Sequence, residues 1–217
     1  WTEETSSPVP TMYNVWVLGT QVTSDNKDDV LNDGKVSYNP DTNTLTVSRD
    51  LAATGDQNAV RAFTSGVLHI QLSGNRSISS ENAGVLYTSN NSVEITSDGD
   101  VTITCASDFF GPIPDLKIST SGDVTLENTN GRICNSSLTI TGVDGGAAGD
   151  VKVSADTTTL SGSKFVAQTV TVNASGDAEI TNSGGKVAIT SVSIKADNVL
   201  LVGAPAGPDT TDSFSYQ

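Results

Sequence analysis

The chain has 217 residues with 11 basic against 25 acidic side chains, a formal net charge of −14 and a pI near 4.1. Nucleic acid and anionic membrane surfaces both demand clustered Lys and Arg, so this balance argues against either partner, and no apolar run of about 18 residues reads as a membrane span. Apolar residues make up 35% and charged residues only 17%, and the abundance of Ser, Thr, Gly, Asn and Asp beside Val, Ile and Leu is the profile of an ordered all-β chain.

Residues 1–56 form an aromatic-rich N-terminal segment holding Trp1, Trp16, Tyr13 and Tyr38. Trp1 in place of Met, with no signal-peptide pattern, reads as a mature or trimmed form. Tyr13-Asn14-Val15-Trp16-Val17-Leu18 is a strand by composition, with Val22-Thr23 as its extension beyond Gly19. The loop Asp25–Gly34 carries four acids in nine residues. It lacks the EF-hand order of ligands, so a solvated loop is expected, with a calcium site as the alternative. Lys35-Val36-Ser37-Tyr38 and Thr44-Leu45-Thr46-Val47 flank the turn Asn39-Pro40-Asp41-Thr42-Asn43 and predict a hairpin. Such a segment suits an N-terminal β cap, because the open edge of a sheet templates aggregation unless it is covered.

From Asn58 to Gly203 the sequence repeats roughly every 22 to 27 residues. The copies read Ser97-Asp98-Gly99-Asp100-Val101-Thr102-Ile103, Thr120-Ser121-Gly122-Asp123-Val124-Thr125-Leu126, Ala147-Ala148-Gly149-Asp150-Val151-Lys152-Val153 and Ala174-Ser175-Gly176-Asp177-Ala178-Glu179-Ile180. Weaker copies surround Asn75 and Asn198. This periodicity is the signature of a solenoid, whose units bury their apolar faces only by stacking. A first strand precedes each copy (around Arg61, Tyr87, Arg132, Lys164 and Lys186), followed by a second such as Leu68-His69-Ile70, Val93-Glu94-Ile95, Leu116-Lys117-Ile118, Leu138-Thr139-Ile140, Val170-Thr171-Val172 and Val192-Ser193-Ile194. Apolar and polar residues alternate as one buried face requires. The expected architecture is a right-handed parallel β-helix of about six three-strand coils, with residues 1–56 as the cap, 57–203 as the helix and 204–217 as a tail in which Phe214 and Tyr216 fold back. Insertions are expected at Ala106–Asp115, which carries Phe109-Phe110, and at Val143–Gly149, with a Thr-rich excursion at Asp156–Gly162. Cys105 falls on the inward face of its strand and reads as a small buried residue; register lends no support to a Cys105–Cys134 bridge.

The opening Tyr13-to-Thr23 segment, Gly34-Lys35-Val36-Ser37-Tyr38, Asn43-Thr44-Leu45-Thr46-Val47 and the Gly-Asp-Val-Thr-Ile coils together resemble the secreted β-helix proteins of gut and plant-degrading bacteria grouped as carbohydrate-binding-domain proteins. The likeness spans nearly the whole chain, and its motifs are structural. It implies a cell-surface or secreted, non-catalytic protein with polysaccharide as a ligand.

Asn75, Asp100, Asp123, Asp150, Asp177 and Asn198 occupy one position in successive coils. Such side chains accept backbone N–H bonds at turns; the functional alternative is a hard cation such as Ca²⁺. Repulsion between solvated neighbours is only about 1 kcal/mol per pair, so no ion is required. Arg132, Lys164 and Lys186 align at one first-strand position and predict an outward basic stripe that could track a polyanionic sugar chain, or else cations whose stems cover strand edges. Tyr87 is the aromatic candidate beside them for stacking on sugar, together with Phe109-Phe110. Catalysis has little support: the sole histidine, His69, points outward with no triad spacing, the only arginines are Arg49, Arg61, Arg76 and Arg132, and the coils hold no Asp-Asp pair. Sequons at Asn75, Asn90, Asn135 and Asn173 are what an Asn/Ser-rich chain gives by chance. The expectation is a glycan binder, and the alternative is a stalk or adhesin module that contacts surface proteins.

Overall fold

The structure is a computed structural model that describes residues 9–89, 91–106, 113–129, 134–156, 164–204 and 213–216. The chain opens with β1 (Met12–Val17), β2 (Thr20–Thr23), β3 (Val36–Asn39), β4 (Thr44–Val47), β5 (Leu51–Ala53) and β6 (Val60–Ala62). Then follow β7 (Leu68–Leu72), β8 (Arg76–Ser80), β9 (Leu86–Thr88), β10 (Val93–Ser97), β11 (Val101–Cys105), β12 (Asp115–Thr120) and β13 (Val124–Asn128). The last are β14 (Cys134–Thr141), β15 (Val151–Asp156), β16 (Lys164–Asn173), β17 (Ala178–Lys195), β18 (Val199–Ala204) and β19 (Ser213–Tyr216). Among the described residues the only helical element is a single 3-10 turn at Val143–Gly145.

These strands build a parallel β-solenoid of about five turns. Second strands stack in the order β4-β7-β10-β12-β14-β16-β17, third strands in the order β5-β8-β11-β13-β15-β17, and β17 is long enough to belong to both columns. Register matches the sequence repeat residue for residue: Leu68, Val93, Leu116, Leu138, Val170 and Val192 are successive partners. Their alternate positions form the core. One interior row runs Leu45, Ile70, Ile95, Ile118, Ile140, Val172, Ile194, and a second runs Ile78, Ile103, Leu126, Val153, Ile180; all are buried. Cys105 is fully buried within a third inward row between Ser80 and Asn128. Its Sγ lies 3.0 Å from Ala83 O.

Two local expectations are corrected. Val22-Thr23 does not prolong β1, because Leu18 (φ 46°) and Gly19 (φ 79°) turn the chain back and β2 pairs antiparallel with β1. Two successive positive φ values give the turn whose twist matches a two-residue hairpin. Late in the chain, first and second strands expected to be separate are continuous: β14, β16 and β17 run through the punctuating Asn, Ser and Gly residues. Residues 186–195 of β17 pair with 164–173 of β16 over most of that length, and 178–183 pair with β15. Ladder pairing there overrides local turn preference. At the far end β19 lies parallel to β17, Phe214 opposite Val192 and Tyr216 opposite Ile194, so it adds a strand to the second column. Phe109-Phe110, Arg132, Ile133 and most of the Thr-rich excursion lie outside the described residues.

Candidate functional site

The smaller sheet, ordered β2-β1-β6-β9, presents one row of outward side chains. In β1, Val15 and Val17 are fully buried, which turns Trp16 outward; Val60 and Ala62 do the same for Arg61, and Leu86 and Thr88 for Tyr87. Register aligns Gln21, Trp16, Arg61 and Tyr87 across the four strands. Phe63, just beyond β6, completes the cluster. Its ring meets Trp16 edge-on at 5.9 Å and Tyr87 edge-on at 5.7 Å. The Arg61 guanidinium lies over Trp16 at 5.1 Å and over Phe63 at 4.6 Å. Tyr87 keeps 39% of its surface exposed. An aromatic face beside a cation can hold the apolar face of a ring and an anionic substituent together.

Of the residues singled out by sequence, Tyr87 stands in this cluster. Lys164 and Lys186 are register partners on β16 and β17 in the larger sheet, and Arg132 lies outside the described residues. Tyr87, Lys164 and Lys186 each precede by six residues a member of one register column (Val93, Val170, Val192), so they occupy equivalent points on their turns. Sequence reasoning missed Trp16, Arg61 and Phe63 as site residues. Arg61 had a signal, because it alternates between inward Val60 and Ala62 and aligns with Tyr87. Trp16 had none, because its place follows from β1 pairing antiparallel with β6, which no repeat encodes.

No family model, no curated protein and no solved structure matches the chain.

The Asx column is a hydrogen-bonded ladder. Asn75 Oδ1 accepts the Asp100 N–H at 3.0 Å, Asp100 Oδ1 that of Asp123 at 2.9 Å, Asp123 Oδ1 that of Asp150 at 2.8 Å and Asp150 Oδ1 that of Asp177 at 2.9 Å. Asn198 Nδ2 then donates to Asp177 Oδ1 at 2.6 Å. Each side chain therefore bridges to the next coil instead of closing its own turn. The acidic loop is likewise bonded internally: Asp29 Oδ1 accepts from the Asp33 and Gly34 amides, both at 2.9 Å, and Lys27 holds Asp28 at 2.7 Å. The hydrogen-bonded Arg49 guanidinium is the main cause that draws the Asp33 carboxyl below its ordinary value. Among the described residues no group of three or more His, Cys, Asp or Glu side chains is placed to hold a metal ion.

His69 does point outward, between buried Leu68 and Ile70. Its Nδ1 lies 3.3 Å from Glu94 Oε2, and Lys117 Nζ approaches Glu94 Oε1 at 3.8 Å. The shallow groove here, about 270 Å³, is lined by Thr42, Thr44, His69, Gln71, Glu94 and Thr96. Among the described residues no helix is long and apolar enough to cross a membrane.

Proposed function

We propose that this is a non-catalytic, secreted or cell-surface β-helix that binds polysaccharide, with acidic chains as the favoured class, in the manner implied by its resemblance to the carbohydrate-binding-domain group. One observation carries the reading: the outward Trp16–Arg61–Phe63–Tyr87 cluster on the smaller sheet, with Arg61 and Tyr87 exposed and the other two rings half-buried. It offers both an apolar ring face and a positive charge on a body of net charge −14. The Lys164–Lys186 rungs extend the same reading, since cations recurring along a rod suit carboxylates recurring along a polymer.

Replacing Arg132, Lys164 and Lys186 together with Ser is expected to abolish retention on acidic polysaccharide. Thermal stability should move by only ~0.5 kcal/mol, the usual scale for substitutions away from special structural features. Wild-type binding should weaken steeply from low to physiological salt, because exposed charges act through screened attraction. A triple variant that binds like its parent removes the basic rungs from the function. A second reading, a stalk or adhesin module, draws on Leu200 and Val202 of β18, which are 51% and 49% exposed. Uniform silence on a glycan array, with and without Ca²⁺, would favour it.

A further inference from the structure

We infer that Arg61 is a carboxylate receptor, and that the cluster around it takes a single uronic-acid unit: the sugar ring on Tyr87, its carboxylate on the guanidinium. This rests on the glycan-binding reading and names the chemistry of its anchor.

Arg61 differs from the other described arginines. Arg49 is engaged by Asp33 and Arg76 donates to the Asn75 carbonyl at 2.6 Å. Arg61 is exposed and makes no ion pair with a described residue, in a chain with 25 acids available to pair it. Two rings hold it instead, Trp16 at 5.1 Å and Phe63 at 4.6 Å. Ring contact engages the face of a guanidinium and leaves its N–H edge for an acceptor, and a planar carboxylate matches that edge with two parallel bonds. Ordering costs are already met by the packing, since Phe63 is itself fixed between Trp16 and Tyr87. Tyr87 is the register partner of Arg61 on the adjacent strand, about 4.8 Å away. A uronide carries its carboxylate directly on the pyranose ring, and register sets Tyr87 and Arg61 side by side on adjacent strands, so one residue of a uronide chain can address both. Phosphate or an isolated carboxylate would use Arg61 and leave Tyr87 idle.

The test uses a short ligand. Digalacturonate cannot extend from Tyr87 to Lys164, three rungs or ~14 Å along the stack, so it separates this anchor from the Lys164–Lys186 rungs. Its carboxyl-reduced neutral counterpart supplies the same rings without the charge. Binding is followed by Trp fluorescence and by the Arg61 side-chain N–H resonance. Wild type should prefer the charged disaccharide. Arg61→Met should lose that preference by roughly tenfold or more, the scale of a charge-assisted hydrogen bond, while keeping its residual affinity for the neutral one. Arg61→Lys should fail to restore it, because a point charge does not reproduce the fork. Tyr87→Ala should weaken both ligands. Preference that survives Arg61→Met overturns the assignment and leaves glycan binding standing. Wild type that binds neither the disaccharides nor the long polymer overturns both readings.

Discussion

A methyl group placed on Gly122 would lie 2.5 Å from Asp100 Oδ1 and 2.6 Å from the Asp100 nitrogen. The same collision with the preceding coil's Asx oxygen awaits a Cβ at Gly99, Gly149 and Gly176. The Gly-Asp pair is thus one device: the aspartate reaches forward to the next coil, and the glycine vacates the space that the aspartate behind it fills. Gly122→Ala should therefore cost roughly 2 kcal/mol or more. Asp123→Ala should cost about 1 kcal/mol for the lost acceptor. Asp123→Asn keeps an acceptor and removes a charge from a column where neighbours repel by about 1 kcal/mol, so its stability should match or exceed that of the parent in urea denaturation. An Asn variant as unstable as the Ala variant would show that the charge itself is needed. Amides already stand at the ladder's two ends, at Asn75 and Asn198.

At the scale of elements, the β3–β4 hairpin joins the N-terminal segment to the stack. Val36 pairs with Val47, and Asn43 anchors the turn by donating to Val67 O at 2.6 Å while accepting from the Tyr38 hydroxyl at 2.8 Å. Burial raises the Tyr38 phenol above its ordinary value of 10.0. A folded pKa above the unfolded one means that this stability is complete below pH ~10 and is lost as pH rises through the folded value. Tyr38 should titrate above its ordinary value in an alkaline absorbance titration, with near-ultraviolet dichroism of the hairpin lost over the same interval. Tyr38→Phe should remove that loss. The hairpin was legible in the sequence because Asn39-Pro40-Asp41 is strong turn chemistry between alternating strands. The β1–β2 reversal was not, because Leu18 is a poor residue for positive φ and holds it here where its N–H donates to Ala59 O at 3.0 Å.

Over the whole molecule, stacking dominates. Ile118 is fully buried between Ile95 and Ile140 in the longest interior row, so Ile118→Ala should cost roughly 2–5 kcal/mol. In a denaturant melt the midpoint should fall and the slope should hold if the stack unfolds as one unit; a second transition would divide it. The solenoid and its register were readable because Gly-Asp-Val copies repeat along the chain. The aromatic cluster was partly readable: Arg61 and Tyr87 follow from coil alignment and Phe63 follows Arg61 by two residues at the end of the same coil strand, whereas Trp16 arrives through an antiparallel strand outside the repeat. Strict register between coils has one more consequence. Side chains at a fixed point of each turn recur at the strand spacing, about 4.8 Å, which makes the outer face a graduated scale. A polymer whose repeat is commensurate with those marks meets each one in phase, and a polymer of any other pitch drifts out of step within a few units. On the proposed glycan-binding reading, such a rod would select by length as well as by charge.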